Sequence, residues 1–361
     1  MRLGVAPAFD FIQRRLMLAM AVIYVLGGLA PSLGVAMRHV RVLTLPSAGG
    51  APFSLTLPGA MLALTLFNAG LGVGFEDLGA MLRRPAMLLV GVGANMVMPL
   101  GFLAIASLLL RAWPEGEEAQ HLLVGLALIG AMPVAGGATV WTQNADGDVP
   151  LSVGLVLVSG LLSPLTIPLS LRAVSHFTKG DLSEDLVDAA THGSATFALV
   201  SVVVPCALGI LVRRAVGKPR LASAMPWIKR LNLVNILALS YSNASSALHA
   251  VFQRPDLDML GLVVLTTAAM CGLSFWVGWV IAVRMRASAP TAISLTFGVG
   301  MNNSSASAVL ATTSMADHSL VLLPILAYSM LQKFSASGVD AVLRRRARAE
   351  LVAAAGGATP R

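Results

Sequence analysis

The chain has 361 residues, of which 56% are hydrophobic and only 12% charged, against roughly 25% charged in an average soluble domain. Its mean hydropathy is +0.79, and a water-soluble fold has no interior large enough to hide that much apolar surface. The formal charge of +8 does not point to nucleic acid, because the basic residues sit in short clusters at the ends of apolar runs, the pattern of membrane orientation.

A helix needs about 20 apolar residues to cross the hydrocarbon core. In chain order such runs predict helices over 16–34, 54–74, 87–110, 122–141 and 151–171, then over 197–212, 231–252, 260–283, 291–312 and 320–343. Arg2, Arg14 and Arg15 precede the first run, which continues to Gly34 with further spans behind it, so it reads as an uncleaved first helix. Residues 1–343 make one transmembrane unit, and 344–361 form a basic, Ala/Gly-rich tail. Counting charge by face tests this segmentation independently. With both termini on one side, 18 of the 25 Lys and Arg fall there, 6 fall on the other side, and Lys333 lies inside a span. That bias predicts a multi-pass protein of the cell inner membrane with both termini cytoplasmic. Cys206 and Cys271 lie within apolar runs without metal or disulfide spacing, and read as packing residues.

Five plus five spans of opposite topology make an inverted repeat, in which helices 4 and 9 correspond. Both read as broken. Helix 4 contains GAMPVAGGATVWTQN, with Pro133, Gly136 and Gly137 interrupting the hydrogen-bond ladder; helix 9 contains FGVGMNNSSAS, with Gly298 and Gly300 ahead of Asn302, Asn303, Ser304 and Ser305. Unwound backbone at bilayer depth is tolerated only where it is buried in protein or lines a cavity, and paired interruptions point to a transport site. The stretch from Gly136 to Thr139 begins a half-helix whose free amides and positive dipole end suit a carboxylate or sulfonate. The bland alternative is a kink that fits a neighbouring helix, with the Asn and Ser acting as interhelical glue.

Lys333 is the one base within a predicted span. It either faces a cavity or partner, or snorkels toward the cytoplasm. Asp340 reads as a membrane-edge residue. Helix 7 carries Asn232, Asn235, Ser240, Tyr241, Ser242, Asn243, Ser245 and Ser246, which line a path or pack on a neighbour. Asp146 and Asp148, on either side of Gly147, read as a solvated turn. No zinc-protease motif, nucleotide loop or pair of intramembrane aspartates is present, so an enzyme is not expected.

The helix 4 to 5 stretch GAMPVAGGATVWTQNADGDVPLSVGLVLVSGLLSPLTIP resembles the bile acid:sodium symporter family, as do NAGLGVGFEDLGAMLRRP, GVGMNNSSASAVLA and LLPILAYSMLQKFSASG. The resemblance implies an all-α membrane protein of ten helices. It implies a panel domain of helices 1, 2, 6 and 7, a core domain of helices 3, 4, 5, 8, 9 and 10, broken helices 4 and 9 crossing at mid-membrane, and an organic anion bound between the two domains. Sodium would be the coupling ion, with no resident cofactor. Carried over by position, the family's helix 4 Ser-Asn aligns with Ala138-Thr139, its helix 5 Ser with Ser152, its following Thr with Val156, and its helix 9 Glu with Gly298. With Gly298 in place of that Glu the crossing holds no formal charge to offset a dehydrated cation, which leaves sodium coupling open. The candidate sodium site that remains is Asn95, Ser152, Val299, Met301 and Asn302, and Lys333 is expected to supply a fixed positive charge that pairs with the anion or stands in for sodium.

The expected function is secondary active transport of a small organic anion, a monocarboxylate or a bile-acid-like amphipath. The expected substrate contacts are Gly137, Ala138, Thr139, Asn303, Ser304, Gln332 and Lys333. Partners are the anion and the lipid bilayer, with no nucleic acid; the pattern sets no oligomeric state. Two rivals are a sodium-independent anion or metalloid exporter of related fold, and a membrane sensor or channel that has lost coupled transport.

Overall fold

The computed structural model describes residues 15–45, 53–74, 79, 84–253 and 255–356. The orientation residues Arg2, Arg14, Arg83, Arg254 and Arg361 lie outside them. The chain begins with α1 (Leu16–Leu29) and α2 (Ser32–His39), then a hairpin of β1 (Arg41–Leu45) and β2 (Phe53–Thr56). Next come α3 (Leu57–Leu71), α4 (Pro85–Leu109), α5 (Gly116–Ala131), α6 (Gly137–Asn144) and α7 (Val149–Ser175). After α8 (Asp181–Asp188) and α9 (Ser194–Ala198), the rest are α10 (Val204–Val216), α11 (Lys218–Gln253), α12 (Leu257–Arg284), α13 (Ala289–Gly300), α14 (Ser304–Ser314) and α15 (Leu322–Gly356).

Helix starts follow local chemistry. Thr56 caps α3, its Oγ1 accepting from Gly59 N at 3.4 Å, and Asp256 caps α12, accepting from Met259 N at 2.9 Å; each replaces a carbonyl that the first turn lacks. Burial, and then the neighbouring Asp256, lifts the Glu118 carboxyl above the usual carboxylate range, against the Trp113 indole, which donates to it at 3.0 Å.

By length and composition, five helical stretches among the described residues can each cross a bilayer: Pro85–Ala112, Val149–Ser175, Asp181–Val216, Leu257–Arg284 and Ser319–Leu343. The chain is therefore an all-α membrane protein, with one short hairpin among the described residues.

Several boundaries differ from the sequence reading. The first helix, expected straight over 16–34, is bent by 89° between Leu18–Leu29 and Ser32–His39. Pro31 has no N–H to continue the ladder, and the carbonyls around the bend take donors from α11. Tyr241 OH donates to Ala30 O, His249 Nδ1 bonds Gly28 O at 3.0 Å and Ser242 Oγ donates to Gly34 O at 3.0 Å. The second helix, expected from residue 54, starts at Leu57, because Phe53–Thr56 pairs antiparallel with β1. The sixth runs back to Asp181 through two π-helical turns, and the seventh starts at Lys218. The polar face of α11 also packs on α3: Asn235 Nδ2 donates to Met61 O (2.7 Å) and Thr65 Oγ1 (2.9 Å), and Asn68 Nδ2 donates to Asn232 Oδ1 (3.2 Å).

Asp148 is a second correction. It is a structural tie and not merely part of a solvated turn. Its Oδ1 caps α7 through Leu151 N (3.2 Å), its Oδ2 lies 3.2 Å from Arg84 Nη1, and its backbone N and O bond Pro290 O (2.9 Å) and Ser294 Oγ (2.8 Å) on α13.

Glycines set a close contact between α3 and α10. A Cβ on Gly70 would run into the Cys206 carbonyl, and one on Gly209 into the Phe67 carbonyl, so α3 and α10 meet backbone to backbone. Gly70→Ala must push these helices apart and is expected to cost about 1–3 kcal/mol, read as a lower Tm in detergent. An unchanged Tm would show that the contact is loose. Asp148→Ala removes a helix cap, worth roughly 0.5–2 kcal/mol, and the same thermal melts check it.

Candidate functional site

Helix α5 stops at Ala131 and α6 restarts at Gly137; α13 stops at Gly300 and α14 restarts at Ser304. The two gaps run antiparallel and pair. Ala135 N donates to Met301 O at 2.9 Å, Asn303 N donates to Pro133 O at 3.0 Å, and Val134 and Asn302 form an isolated β-bridge. Each broken helix thus satisfies backbone groups that the other leaves open, as buried peptide groups require.

Asn302 is the centre of the crossing and is 0% exposed. Its Nδ2 donates to Ile129 O (3.1 Å) and Met132 O (3.2 Å), which closes the C-terminal end of α5. Its Oδ1 accepts from Asn95 Nδ2 (3.1 Å) and from Tyr328 OH (3.4 Å), and its backbone N donates to Gln332 Oε1 (2.9 Å). Asn95 Nδ2 also reaches Val299 O at 3.4 Å, near the end of α13. Asn303 caps α14, its Oδ1 accepting from Ala306 N at 3.1 Å.

Of the expected sodium set, Asn95, Val299, Met301 and Asn302 come together here. Ser152 sits apart in a buried hydroxyl cluster, 3.2 Å from Thr142 Oγ1 and 3.4 Å from Thr139 Oγ1. The place above Gly298 is hydrocarbon: a Cβ there would run into Leu155, whose Cδ2 also lies 2.6 Å from the Cβ position of Gly91. A Cβ on Gly300 would meet the Phe275 ring, so this glycine admits close aromatic packing.

Of the expected substrate contacts, Ala138 is buried and Gly137 is exposed, 3.8 Å in Cβ position from Met301 Cε. Gln332 is buried and engaged by the crossing. Half-buried Lys333 donates from Nζ to Ser329 O (2.7 Å) and Ser329 Oγ (3.1 Å). Ser304 lines a narrow pocket between α1 and α11 on one side and α14 and α15 on the other. Tyr24, Ser240, Asn243, Ser305 and Ser329 line it too, around about 220 Å³ of space between atoms, part of it open to solvent. Asn243 is 3% exposed and among the described residues its Oδ1 has no hydrogen-bond partner, so a donor is wanted at this wall.

The sequence reading singled out Asn243 on helix 7 without assigning it to a pocket, and missed Tyr24, Tyr328, Ser329 and Leu155. The signal for two of these was present: Tyr328, Ser329, Gln332 and Lys333 form i, i+4 pairs on one face of α15. Leu155 gives no signal, because a leucine in a span is unremarkable until its neighbours are known.

The sequence model described as the Sodium Bile acid symporter family matches residues 60–254. The chain belongs to this family. It is 28% identical over 78% of its length to the uncharacterized protein YbaS of Bacillus subtilis (strain 168), covering 87% of that protein. It is 26% identical over 76% of its length to the uncharacterized sodium-dependent transporter YocS of the same organism, covering 79% of it. Against human sodium/bile acid cotransporter 4 it is 30% identical over 43% of its length, which spans 33% of that protein. As a symporter-family member, the chain is a multi-pass membrane transporter of solutes, in a family of transporters and not of enzymes.

Asn302→Leu removes the amide while keeping its bulk. It leaves Met132 O without its donor, at a cost of about 1–3 kcal/mol, while Ile129 O keeps Met132 N and Asn95 Nδ2 keeps Val299 O. The expected outcome is a loss of roughly 1–3 kcal/mol in detergent unfolding. A loss under about 1 kcal/mol would mean that the crossing does not depend on this side chain.

Proposed function

We propose that this family member is a secondary active transporter of small organic anions, built of ten spans as a five-plus-five inverted-topology repeat in the cell inner membrane, with both termini cytoplasmic. The span count is supported by which helices a length-and-composition criterion passes over. Five stretches meet it; the other five are the bent α1–α2, the short α3, the interrupted α5–α6 and α13–α14, and the polar α11.

A panel of α1 to α3 and α8 to α11 packs against a core of α4 to α7 and α12 to α15. The observation that carries the reading is the antiparallel meeting of two buried helix breaks, with the half-helices α6 and α14 starting beside it. Such termini present amides and the positive dipole end to an anion.

We assign direct contacts to Ser304, Ser305 and Asn243, the last with its amide turned so that Nδ2 donates to the anion, with Lys333 joined to the pocket wall through Ser329. Gly137, Ala138, Thr139 and Asn303 shape the two half-helix starts, and Gln332 fixes the crossing. The enclosed cavity is only about 10 Å³, room for about one water, so an anion enters only when α1 and α11 part from α14 and α15.

The test is a melting screen of purified protein against pyruvate, benzoate and cholate, followed by uptake of each into proteoliposomes. Pyruvate or benzoate is expected to raise the Tm and to be taken up, and Asn243→Leu to weaken binding roughly tenfold, the equivalent of one hydrogen bond to a charged group. Binding without flux would make the protein a sensor. Neither binding nor flux would end the reading.

A further inference from the structure

We infer that this carrier holds no sodium ion at its helix crossing, and that the ammonium group of Lys333 is the resident positive charge that faces the transported anion. The second half rests on the function proposed above; the first does not.

A dehydrated cation needs a cage of oxygens and, in a dry interior, negative charge to offset its desolvation. At the crossing, side-chain N–H groups point at the carbonyls of Ile129, Met132 and Val299, and backbone N–H groups point at those of Met301 and Pro133. The spaces off these oxygens therefore hold donor hydrogens, which repel a cation. Of the side-chain amide oxygens, Asn302 Oδ1 takes Asn95 and Tyr328 and Gln332 Oε1 takes the Asn302 N–H, which leaves Asn95 Oδ1, a single neutral oxygen. The space above Gly298 and Gly91 is taken by the Leu155 side chain, leaving no room for a carboxylate.

Lys333 is the opposite case. It lies roughly 15 Å along α15 from Leu343 at 1.5 Å per residue, and among the described residues its Nζ bonds only the neutral Ser329. A cation at that depth costs about 2.5–3.5 kcal/mol to insert and is retained where an anion comes to it. Ser329 Oγ, which Lys333 holds, is part of the same pocket wall as Asn243 and Ser304.

Two measurements decide the matter. Purified wild-type protein is titrated with radioactive sodium; no saturable binding is expected, and saturable binding overturns the empty crossing whatever the substrate. The Tm shifts given by pyruvate and benzoate are then compared in sodium, potassium and choline chloride for wild type, Lys333→Gln and Lys333→Arg. The wild-type shifts are expected to be the same in all three salts, to fall at least tenfold in affinity in Lys333→Gln, and to survive within a few fold in Lys333→Arg. Unchanged affinity in a folded Lys333→Gln overturns the role of the lysine. If neither anion binds wild type, the anion-transport reading and the role of Lys333 fall together, while the sodium titration still decides the crossing.

Discussion

In hydrocarbon every peptide group must find a partner inside the protein, and that requirement governs the centre of this molecule. Two helices are interrupted at mid-chain, and neither interruption is stable alone. Each gap exposes the carbonyls that end one half-helix and the amides that begin the next. Lying antiparallel, Pro133 to Ala135 and Met301 to Asn303 exchange backbone hydrogen bonds like a fragment of sheet. Asn302 and Asn95 supply the donors that the sheet fragment lacks. Because the amide of Asn302 is answered by Gln332 and its side chain by Tyr328, α15 is tied to the same point. These four helical units, α4 with Asn95, α5–α6, α13–α14 and α15, share one hydrogen-bond network, and buried networks of this kind hold a single geometry only when every member is satisfied.

Neighbouring helices are held together by different means. Contacts between α3 and α10 are glycine to backbone carbonyl, and α11 fastens the bend of the first helix with three side chains. Between α1 and α11 and the pair α14 and α15 lies instead a pocket of Ser, Asn and Tyr. Interfaces of small polar groups around water-sized space slide or open at lower cost than jigsaw-packed ones. A carrier that alternates access requires two rigid bodies with such a seam between them.

The breaks in the fourth and ninth helices were legible because Pro133, Gly136, Gly137, Gly298 and Gly300 stand in otherwise apolar runs, and the amides after Gly300 mark where satisfaction must come from side chains. Their mutual pairing was anticipated only through the family resemblance; no local pattern in either stretch encodes the other. The bend at Pro31 was missed because its cost is met from α11, more than 200 residues away. Asp148 looked like part of a solvated turn for the same reason, its partners Arg84 and Ser294 being distant in sequence. The polar face of α11 was seen as a choice between packing and lining a path. Asn232 and Asn235 turn to α3, while Ser240 and Asn243 turn to the pocket.

A charge fixed to the protein and a charge carried in with the solute differ in what the membrane potential acts on. With a co-transported cation, the loaded site carries the anion and its counter-charge together, and the potential acts on the ion that enters. With a lysine that keeps its proton, the loaded site is neutral and the empty site is positive. The voltage-sensitive step is then the movement of the empty site, worth up to about 2.3 kcal/mol per 100 mV for one charge crossing the whole field. An inside-negative potential holds that empty site toward the cytoplasm, where it meets cytoplasmic anions. On the sodium-free reading the potential alone therefore favours export or exchange over uptake, and accumulation would need an outward-moving second anion or a proton lost from Lys333 during the cycle. On that reading the direction of transport is tied to the protonation of a single side chain on α15, and not to the crossing that holds the fold together.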